Sequence, residues 1–346
     1  MTFVQPRIVG SAALKLPPQT AQTTDFLEAV KATLRHERHG ILGAWQYSDS
    51  HYEGDPVHGA SLWEAFLKAS LDYYPLRSEI ELIQHHAGRL LNPQREPVVL
   101  VDFGPGPRQA VFDKTVPIAR LFKSVAAYCP IDISRDYLLA VCQTLHAENP
   151  SIPMQAFNLD FFADDIPLPE GPARLGLFFG SSISNIEGSP TDGLPEDEIV
   201  RQLARLRIAL GPRGALLMAY DANQDKDSIM RSYLHPLQIA FGSNIMHRIK
   251  RDLPVYGDFE PEAWRYEPVW HAATHQLCHT VVCERDQTFW LDNERFSIKA
   301  GERFILNNSY KYPVQKMQEW GARAGFAHQD CVMDSDNREA LHLMAA

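Results

Sequence analysis

The stretch Val98-Val99-Leu100-Val101-Asp102-Phe103-Gly104-Pro105-Gly106-Pro107 decides the fold of this chain. Its four leading residues are apolar and mostly β-branched, which predicts a strand buried on both faces. The strand ends in an acid, Asp102, followed by Gly-x-Gly, whose glycines let the backbone turn sharply and approach a ligand. Turn geometry alone can also require these glycines, so the meaning of the motif depends on the runs that follow.

Further apolar runs alternate with helical patterns along the chain. The predicted strands are 125–132, 154–161, 175–185 and 214–221, and the predicted helices around them are 110–122, 134–145 and 196–210. Helical spacing also predicts helices that begin at Asp25 and cover 59–71, 76–97 and 229–241. Alternating strands and helices predict right-handed βαβ units and an α/β fold with a mostly parallel, doubly wound sheet. Ligands of such sheets bind at the carboxyl ends of the strands, where Asp102, Asp132 and Asp160 lie.

Composition excludes several classes of function. The formal net charge is -10 and no run of Lys and Arg is present, which argues against a nucleic-acid partner. No apolar run reaches the roughly 20 residues that span a bilayer. The chain does not begin with a secretory signal pattern, and its five cysteines contain no Cys-x-x-Cys motif, so we expect a cytoplasmic protein. No feature of the sequence indicates an obligate protein partner.

Cys278, His279 and Cys283 lie close together in the sequence and could suggest zinc. Alternation within a strand explains their spacing better, and we expect no metal site.

The acids at the strand ends help to choose between nucleotide cofactors. A dinucleotide motif has a third glycine, whereas Gly104-Pro105-Gly106-Pro107-Arg108-Gln109 has none in register and a single basic side chain. S-adenosylmethionine carries no phosphate and has a cationic sulfonium, so neighbouring acids favour it over NAD. Asp132 would accept the ribose hydroxyls, Asp160 would bond the adenine amino group and Phe161 would pack on the base. An NAD-dependent oxidoreductase and a non-catalytic binder are the alternatives.

Several motifs resemble the histidine-specific methyltransferase family. They are Tyr73-Tyr74-Pro75-Leu76-Arg77-Ser78-Glu79, Asp102-Phe103-Gly104-Pro105-Gly106, Asp160-Phe161, Phe179-Gly180-Ser181-Ser182-Ile183-Ser184-Asn185-Ile186 and Ser309-Tyr310-Lys311-Tyr312. This family includes the histidine N-alpha-methyltransferase of the ergothioneine pathway and fungal dimethylallyltryptophan N-methyltransferase relatives. The resemblance covers about residues 40 to 346.

The resemblance implies a Rossmann-like domain of S-adenosylmethionine-dependent methyltransferases and a second, smaller α+β substrate domain. We expect the first domain at 76–222 plus 310–346, the second at 20–75 plus 223–309, and an arm at 1–19.

The resemblance also implies roles for individual residues. The implied cofactor contacts are Tyr47, Gly104, Gly106, Asp132, Asp160 and Phe161. Tyr73, Gly180, Asn185 and Tyr233 would hold the α-amino and α-carboxylate groups of an amino acid, and Ser309 would lie near its side chain. Tyr73 and Asn185 would orient the reacting amine. From the residues alone, Tyr73 could belong to a packed aromatic loop, Tyr233 could be a core tyrosine and Asn185 a helix cap.

Four positions depart from the family's histidine enzymes. Ala110 replaces a lysine and Ser134 an acid, and neither change should abolish cofactor binding. In the side-chain pocket, His279 replaces a methionine and Asn307 replaces the glutamate that bonds imidazole. Since losing this glutamate removes the main contact for imidazole, we expect an indole or modified amino acid of a biosynthetic pathway as substrate. Histidine is the alternative, and the segment between Tyr47 and Gly59 has no assigned role.

Overall fold

The computed structural model describes residues 19–47, 58–92, 97–133, 135–169 and 171–346. The predicted arm, apart from Gln19, lies outside the described residues. So do Ser134 and most of the segment between Tyr47 and Gly59.

The strands and helices follow in chain order. The strands are β1 (Val98–Phe103), β2 (Val125–Asp132), β3 (Phe157–Asn158), β4 (Ala173–Phe178), β5 (Ala215–Asp221), β6 (Val255–Gly257), β7 (Trp264–His271), β8 (Gln276–Cys283), β9 (Gln287–Leu291), β10 (Glu294–Ile298), β11 (Arg303–Tyr310), β12 (His328–Met333) and β13 (Glu339–Ala345). The helices are α1 (Gln19–Leu34), α2 (Gly43–Tyr47), α3 (Gly59–Ala69), α4 (Tyr74–Leu91), α5 (Arg108–Ala110), α6 (Val116–Ala119), α7 (Arg135–Glu148), α8 (Glu196–Leu210), α9 (Lys226–Tyr233), α10 (Pro236–Asp252) and α11 (Val314–Arg323).

A seven-stranded sheet forms the larger part of the molecule, in the order β12-β13-β5-β4-β1-β2-β3. Strand β1 pairs in parallel with β2 and β4, and all six of its residues are buried, as the opening stretch predicts. Strand β13 pairs antiparallel with both β5 and β12. The doubly wound α/β sheet expected from the sequence is therefore confirmed.

The smaller part consists of two antiparallel sheets with helices packed on them. Their strand orders are β10-β9-β6 and β11-β8-β7. Helices α1 and α10 share a hydrophobic core with these sheets, separate from the two cores that flank the seven-stranded sheet. The domain bounds 76–222 plus 310–346 and 20–75 plus 223–309 stay a prediction, which this separation of cores supports.

Some predicted element bounds were wrong. Helix α1 begins at Gln19, before Asp25, and the helical segment after the glycine turn is α5, a π-helical turn at Val111–Thr115 and α6. The predicted third strand shrinks to Phe157–Asn158. The predicted helix 229–241 is two helices, because Pro236 starts α10 and cannot continue α9.

Tyr74 begins α4, with Pro75 in the first turn of the helix. The prediction that Asp102 lies where a ligand binds was also wrong. Asp102 lies inside β1, where its buried carboxylate accepts hydrogen bonds from Thr115 and Tyr128 at 2.8 and 2.7 Å. It is therefore not available to a ligand as the sequence suggested. No described helix is long and apolar enough to span a membrane.

Candidate active site

A cavity lies where the carboxyl ends of β4 and β5 face α9, α10 and the sheet of β7, β8 and β11. The structure brings together at this cavity every predicted substrate residue and one predicted cofactor residue. They are Tyr73, Gly180, Asn185, Tyr233, His279, Asn307, Ser309 and Tyr47.

The predicted cofactor loop adopts the backbone geometry that its glycines allow. Gly104 and Gly106 have φ of 68° and 71°, in the left-handed region that side chains disfavour. A Cβ on Gly106 would meet no atom within 4 Å, so open space borders the loop. A Cβ on Gly104 would lie 3.7 Å from the Phe161 ring and 3.8 Å from the Ser182 hydroxyl.

The remaining cofactor candidates lie at the ends of neighbouring strands. Asp132 is the last residue of β2 and is mostly buried, whereas Asp160 is exposed beyond β3. One Asp160 carboxylate oxygen accepts the Phe162 backbone N–H at 2.8 Å. The Phe161 ring packs edge-on against Phe103, with ring centroids 5.7 Å apart. An open glycine loop, an acid on the next strand and an aromatic ring beside the loop suit a nucleoside bound at the carboxyl ends of the strands.

The turn after β4 connects the cofactor loop to the cavity. Ser182 lies beside Gly104, while Gly180, Ser181 and Asn185 of the same turn line the cavity. Gly180 has φ of 71°, and its N–H donates to the Glu79 carboxylate at 2.7 Å. Its N–H is therefore already used, and only its carbonyl and its lack of a side chain can serve a ligand.

Glu79 and Asn185 differ in what they already bind. Glu79 is buried and pairs with buried Lys114 at 3.2 Å. The Asn185 side chain is exposed and makes no hydrogen bond to the described residues, which leaves its amide for a ligand. It follows the short 3₁₀ turn Ser182–Ser184, and its side chain does not cap a helix.

Aromatic rings form one wall of the cavity. The Trp63 ring packs edge-on against Tyr47 and Tyr73, with centroids 5.3 and 5.6 Å apart. Tyr73 in turn packs edge-on against Tyr233 at 5.7 Å. Burial raises the pKa of the Tyr73 phenol well above its usual value, so this hydroxyl stays protonated.

A buried ion pair lies under the cavity floor. The Lys311 ammonium is 2.8 Å from the Asp221 carboxylate, and it donates to the Tyr233 and Ser309 hydroxyls at 2.9 Å each. Burial alone would lower the pKa of Lys311, but Asp221 and Tyr233 outweigh it and raise the pKa above its usual value. Lys311 therefore keeps its charge.

His279 and Asn307 lie opposite each other on neighbouring strands β8 and β11, so both side chains face the cavity. The His279 Nδ1 is 2.6 Å from the Tyr266 hydroxyl. Burial, with a smaller effect of the Lys311 charge, lowers the pKa of His279 to about 3, so the ring is neutral at physiological pH. The Asn307 Oδ1 accepts the Asn308 backbone N–H at 2.9 Å, and its NH₂ group donates to none of the described residues, which leaves that group for a ligand.

Several cavity residues have no role that the sequence predicts. They are Trp63, Asp221, Gln238, Tyr266 and Lys311. Lys311 follows Ser309 by two residues at the end of a strand. Because residues two apart in a strand point to the same face, this spacing could have indicated that Lys311 lies beside Ser309. Tyr266 and Gln238 come from the second sheet and from α10, and no local pattern connects them to the others.

The seven-stranded sheet, the glycine turn after β1 and the acid that ends β2 make up a Rossmann-like α/β fold. Residues 26–346 match the family described as "Histidine-specific methyltransferase, SAM-dependent". The chain belongs to this family. It is therefore a methyltransferase, and S-adenosylmethionine is its methyl donor.

Relatives of known name are similar over most of their length. N-methyltransferase imqF of Aspergillus flavus is 24% identical over 342 residues, which cover 94% of this chain and 88% of that protein. A histidine N-alpha-methyltransferase of Mycobacterium tuberculosis is 24% identical over 258 residues, which cover 73% of this chain and 77% of that protein. Among solved structures, the CcbJ methyltransferase from Streptomyces caelestis superposes with a TM-score of 0.45 at 12% identity, covering 87% of this chain and 98% of its own.

Proposed function

We propose that this enzyme methylates the α-amino group of a free amino acid or a close derivative. The observation that carries this proposal is that several polar side chains line one cavity. The Asn185 amide, which bonds no described residue, lines the same space as the Tyr233 and Ser309 hydroxyls, beside the turn that contacts Gly104. An amide and hydroxyls in one cavity suit the α-amino and α-carboxylate groups of an amino acid.

S-adenosylmethionine supplies a methyl group on a cationic sulfonium. Gly104 and Gly106 would let the backbone approach it, and Asp132 would accept from the ribose hydroxyls. Asp160 and Phe161 would hold the adenine, and Tyr47 would contact the donor from the cavity side. The open space at Gly106 and the position of Phe161 beside Gly104 support these roles.

Tyr73 and Asn185 would orient the amine, and Tyr233 with Asn185 would hold the carboxylate. Positioning and exclusion of water would supply most of the rate enhancement, since an amine that has lost its proton to solvent needs no base in the site. The faces of Tyr47 and Tyr73 would stabilise the positive charge that develops on a methylated nitrogen. Their packing around Trp63 in the cavity wall supports this role.

The side-chain end of the cavity favours a substrate other than histidine. His279 is neutral, Asn307 offers an NH₂ group, and the single carboxylate among the described lining residues is Asp221, which Lys311 already pairs. A side-chain N–H of imidazole would find no free anion there. We infer an indole or otherwise modified amino acid of secondary metabolism, with histidine as the second candidate.

We also infer a cytoplasmic enzyme without an obligate protein or nucleic-acid partner. The five free cysteines and the net charge of -10 support this setting. Among the described residues, no group of three or more His, Cys, Asp or Glu could hold a metal.

The proposal is tested with S-adenosylmethionine and a panel of proteinogenic and prenylated amino acids, read by mass spectrometry for added methyl groups. The best substrate is then compared with its methyl ester. Because Asn185 and Tyr233 would bind the carboxylate, we expect the ester to be methylated at a negligible rate. Equal rates on the acid and the ester would contradict the assignment.

A further inference from the structure

We propose that Lys311 is a positioning residue that makes the Tyr233 and Ser309 hydroxyls donate into the cavity, where both bind the carboxylate of the amino acid. This inference rests on the proposed function and deepens it. It brings Ser309 into the carboxylate site, whereas the family resemblance places that serine near the substrate side chain.

The hydrogen bonds of Lys311 each have a fixed direction. A lysine ammonium has three N–H donors and no acceptor, so its contacts have one possible direction. The partners of Lys311 are the Asp221 Oδ2 at 2.8 Å, the Tyr233 Oη at 2.9 Å and the Ser309 Oγ at 2.9 Å. All three donors are therefore used, and one lone pair of each hydroxyl oxygen is filled.

The protons of the Tyr233 and Ser309 hydroxyls point away from Lys311. Neither hydroxyl can donate to Lys311, so each proton must point elsewhere. Tyr233 and Ser309 are 3.4 Å apart, a separation at which one can donate only weakly to the other. Both residues line the cavity, so at least one O–H, and both once a ligand arrives, point into it.

The positive charge of Lys311 acts on both hydroxyls. Lys311 and Asp221 are 1% and 0% exposed, so solvent does not screen the ammonium from the two hydroxyls. An ammonium that donates to a hydroxyl oxygen makes its O–H a stronger donor. Since Asp221 balances the charge, an incoming carboxylate would bind through the polarised hydroxyls and would not need its own cation.

Further hydrogen bonds hold the Lys311–Asp221 pair in place. The Asp221 carboxylate also accepts from the Tyr74 hydroxyl at 2.7 Å and from the Asn223 backbone N–H at 3.0 Å. Asp221 ends β5 and Lys311 follows β11, so the pair joins the large sheet to the smaller one at the cavity. Lys311 thus has one stable position from which to orient the hydroxyls.

The test uses the full chain and the double variant Lys311→Met/Asp221→Asn, which removes the pair without leaving one buried charge alone. The panel described above gives the best amino acid, and its carboxamide serves as the neutral comparison. We expect KM for the acid to rise at least tenfold, as for loss of hydrogen bonds to a charged group. The preference for acid over carboxamide should fall about as much, with the affinity for S-adenosylmethionine in calorimetry unchanged.

The matched control is Lys31→Met/Asp292→Asn, which removes an ion pair of 3.1 Å between α1 and the smaller sheets and should leave KM unchanged. Ser309→Ala is the second variant, because it removes one hydroxyl and leaves the ion pair in place. It too should lower the preference for acid over carboxamide. An unchanged preference in a folded Ser309→Ala enzyme, or in the folded double variant, would overturn the inference.

Failure of the proposed function has a different signature. If the wild-type enzyme methylates no amino acid of the panel, the proposed function is wrong and this inference falls with it. If the wild-type enzyme methylates an amino acid and the variants keep its preference for the acid, only the role of Lys311 and Ser309 is wrong.

Discussion

Asp132 is the residue on which cofactor affinity should depend most directly. It ends β2 and lies mostly buried beside the glycine loop. We predict that Asp132→Ala raises the dissociation constant of S-adenosylmethionine at least tenfold, because a carboxylate that bridges two hydroxyls contributes about 1.5–3 kcal/mol. Titration calorimetry gives the constant, and Asp25→Ala, which removes an exposed carboxylate on α1, is the control. Unchanged affinity in Asp132→Ala would exclude this residue from the site.

Side-chain specificity should depend on the facing pair His279 and Asn307. We predict that Asn307→Glu with His279→Met raises kcat/KM for histidine relative to the native substrate, because the new carboxylate can accept the imidazole N–H. Competition between histidine and an indole amino acid, read by mass spectrometry, measures this ratio. A wild-type enzyme that already methylates histidine faster than any indole amino acid would contradict the pocket argument.

At the scale of the element, Gly242 controls how closely α10 approaches β7. A Cβ at this position would lie 2.2 Å from the Tyr266 ring, which in turn bonds His279. We predict that Gly242→Ala destabilises the fold by about 1–3 kcal/mol, the usual effect of overpacking, and disturbs the His279 side of the cavity. Denaturant unfolding measures the first effect and substrate KM the second.

Gly88 of α4 is another helical glycine, but there an added Cβ has room. Its nearest atom to an added Cβ is the Leu121 Cδ2 at 3.6 Å, an ordinary contact. Gly88→Ala should therefore stabilise the protein by about 0.5–1 kcal/mol through helix propensity. A stabilising effect of Gly242→Ala would contradict the packing explanation for Gly242, and a destabilising effect of Gly88→Ala would contradict the helix-propensity explanation for Gly88.

Elements were predictable where a local pattern sets them. The apolar run of β1 and the glycines after it determine strand and turn within ten residues, and the structure matches them. The break between α9 and α10 was missed because Tyr233 and Phe241 keep helical spacing across Pro236. The third strand was overpredicted because only two of its residues pair with β2.

Within the site, predictability followed sequence motifs. Tyr73, Asn185 and Ser309 could be assigned from the resemblance, and the structure brings them to one cavity. The contacts of Lys311 and Tyr266 could not, because their partners come from distant strands and helices that only the folded chain brings together. The burial of Asp102 was missed for the same reason, since Tyr128 lies on the neighbouring strand.

At the scale of the whole molecule, the free energy of unfolding in acid should depend on a histidine that is buried and neutral. His342 of β13 is fully buried, and burial lowers its pKa from 6.5 to about 4. The native state therefore stays neutral while the unfolded chain takes up a proton, and stability is lost as pH falls below 6.5. When the pH falls from 7 to 5, protonation of this histidine in the unfolded chain should lower the free energy of unfolding by about 2 kcal/mol.

The measurement is denaturant unfolding of the wild type and His342→Leu at both pH values. The free energy of unfolding should fall more steeply with acid in the wild type, by about the amount given above. The difference between the two proteins isolates the effect of His342 from that of Asp102. Burial raises the pKa of Asp102 to about 6, so this carboxyl favours the native state as the pH falls. Equal slopes would show that His342 is not neutral in the native state.

The position of β13 between β5 and β12 has a consequence for biosynthesis. A ribosome completes β5 well before β13, so the nascent chain carries β5 with one row of backbone N–H and C=O groups unpaired. That strand is almost entirely buried in the finished protein, and an open strand of this kind pairs readily with other chains. The yield of soluble enzyme in a foreign host should therefore depend on how quickly translation reaches Glu339–Ala345, and on chaperones that cover β5 until it does.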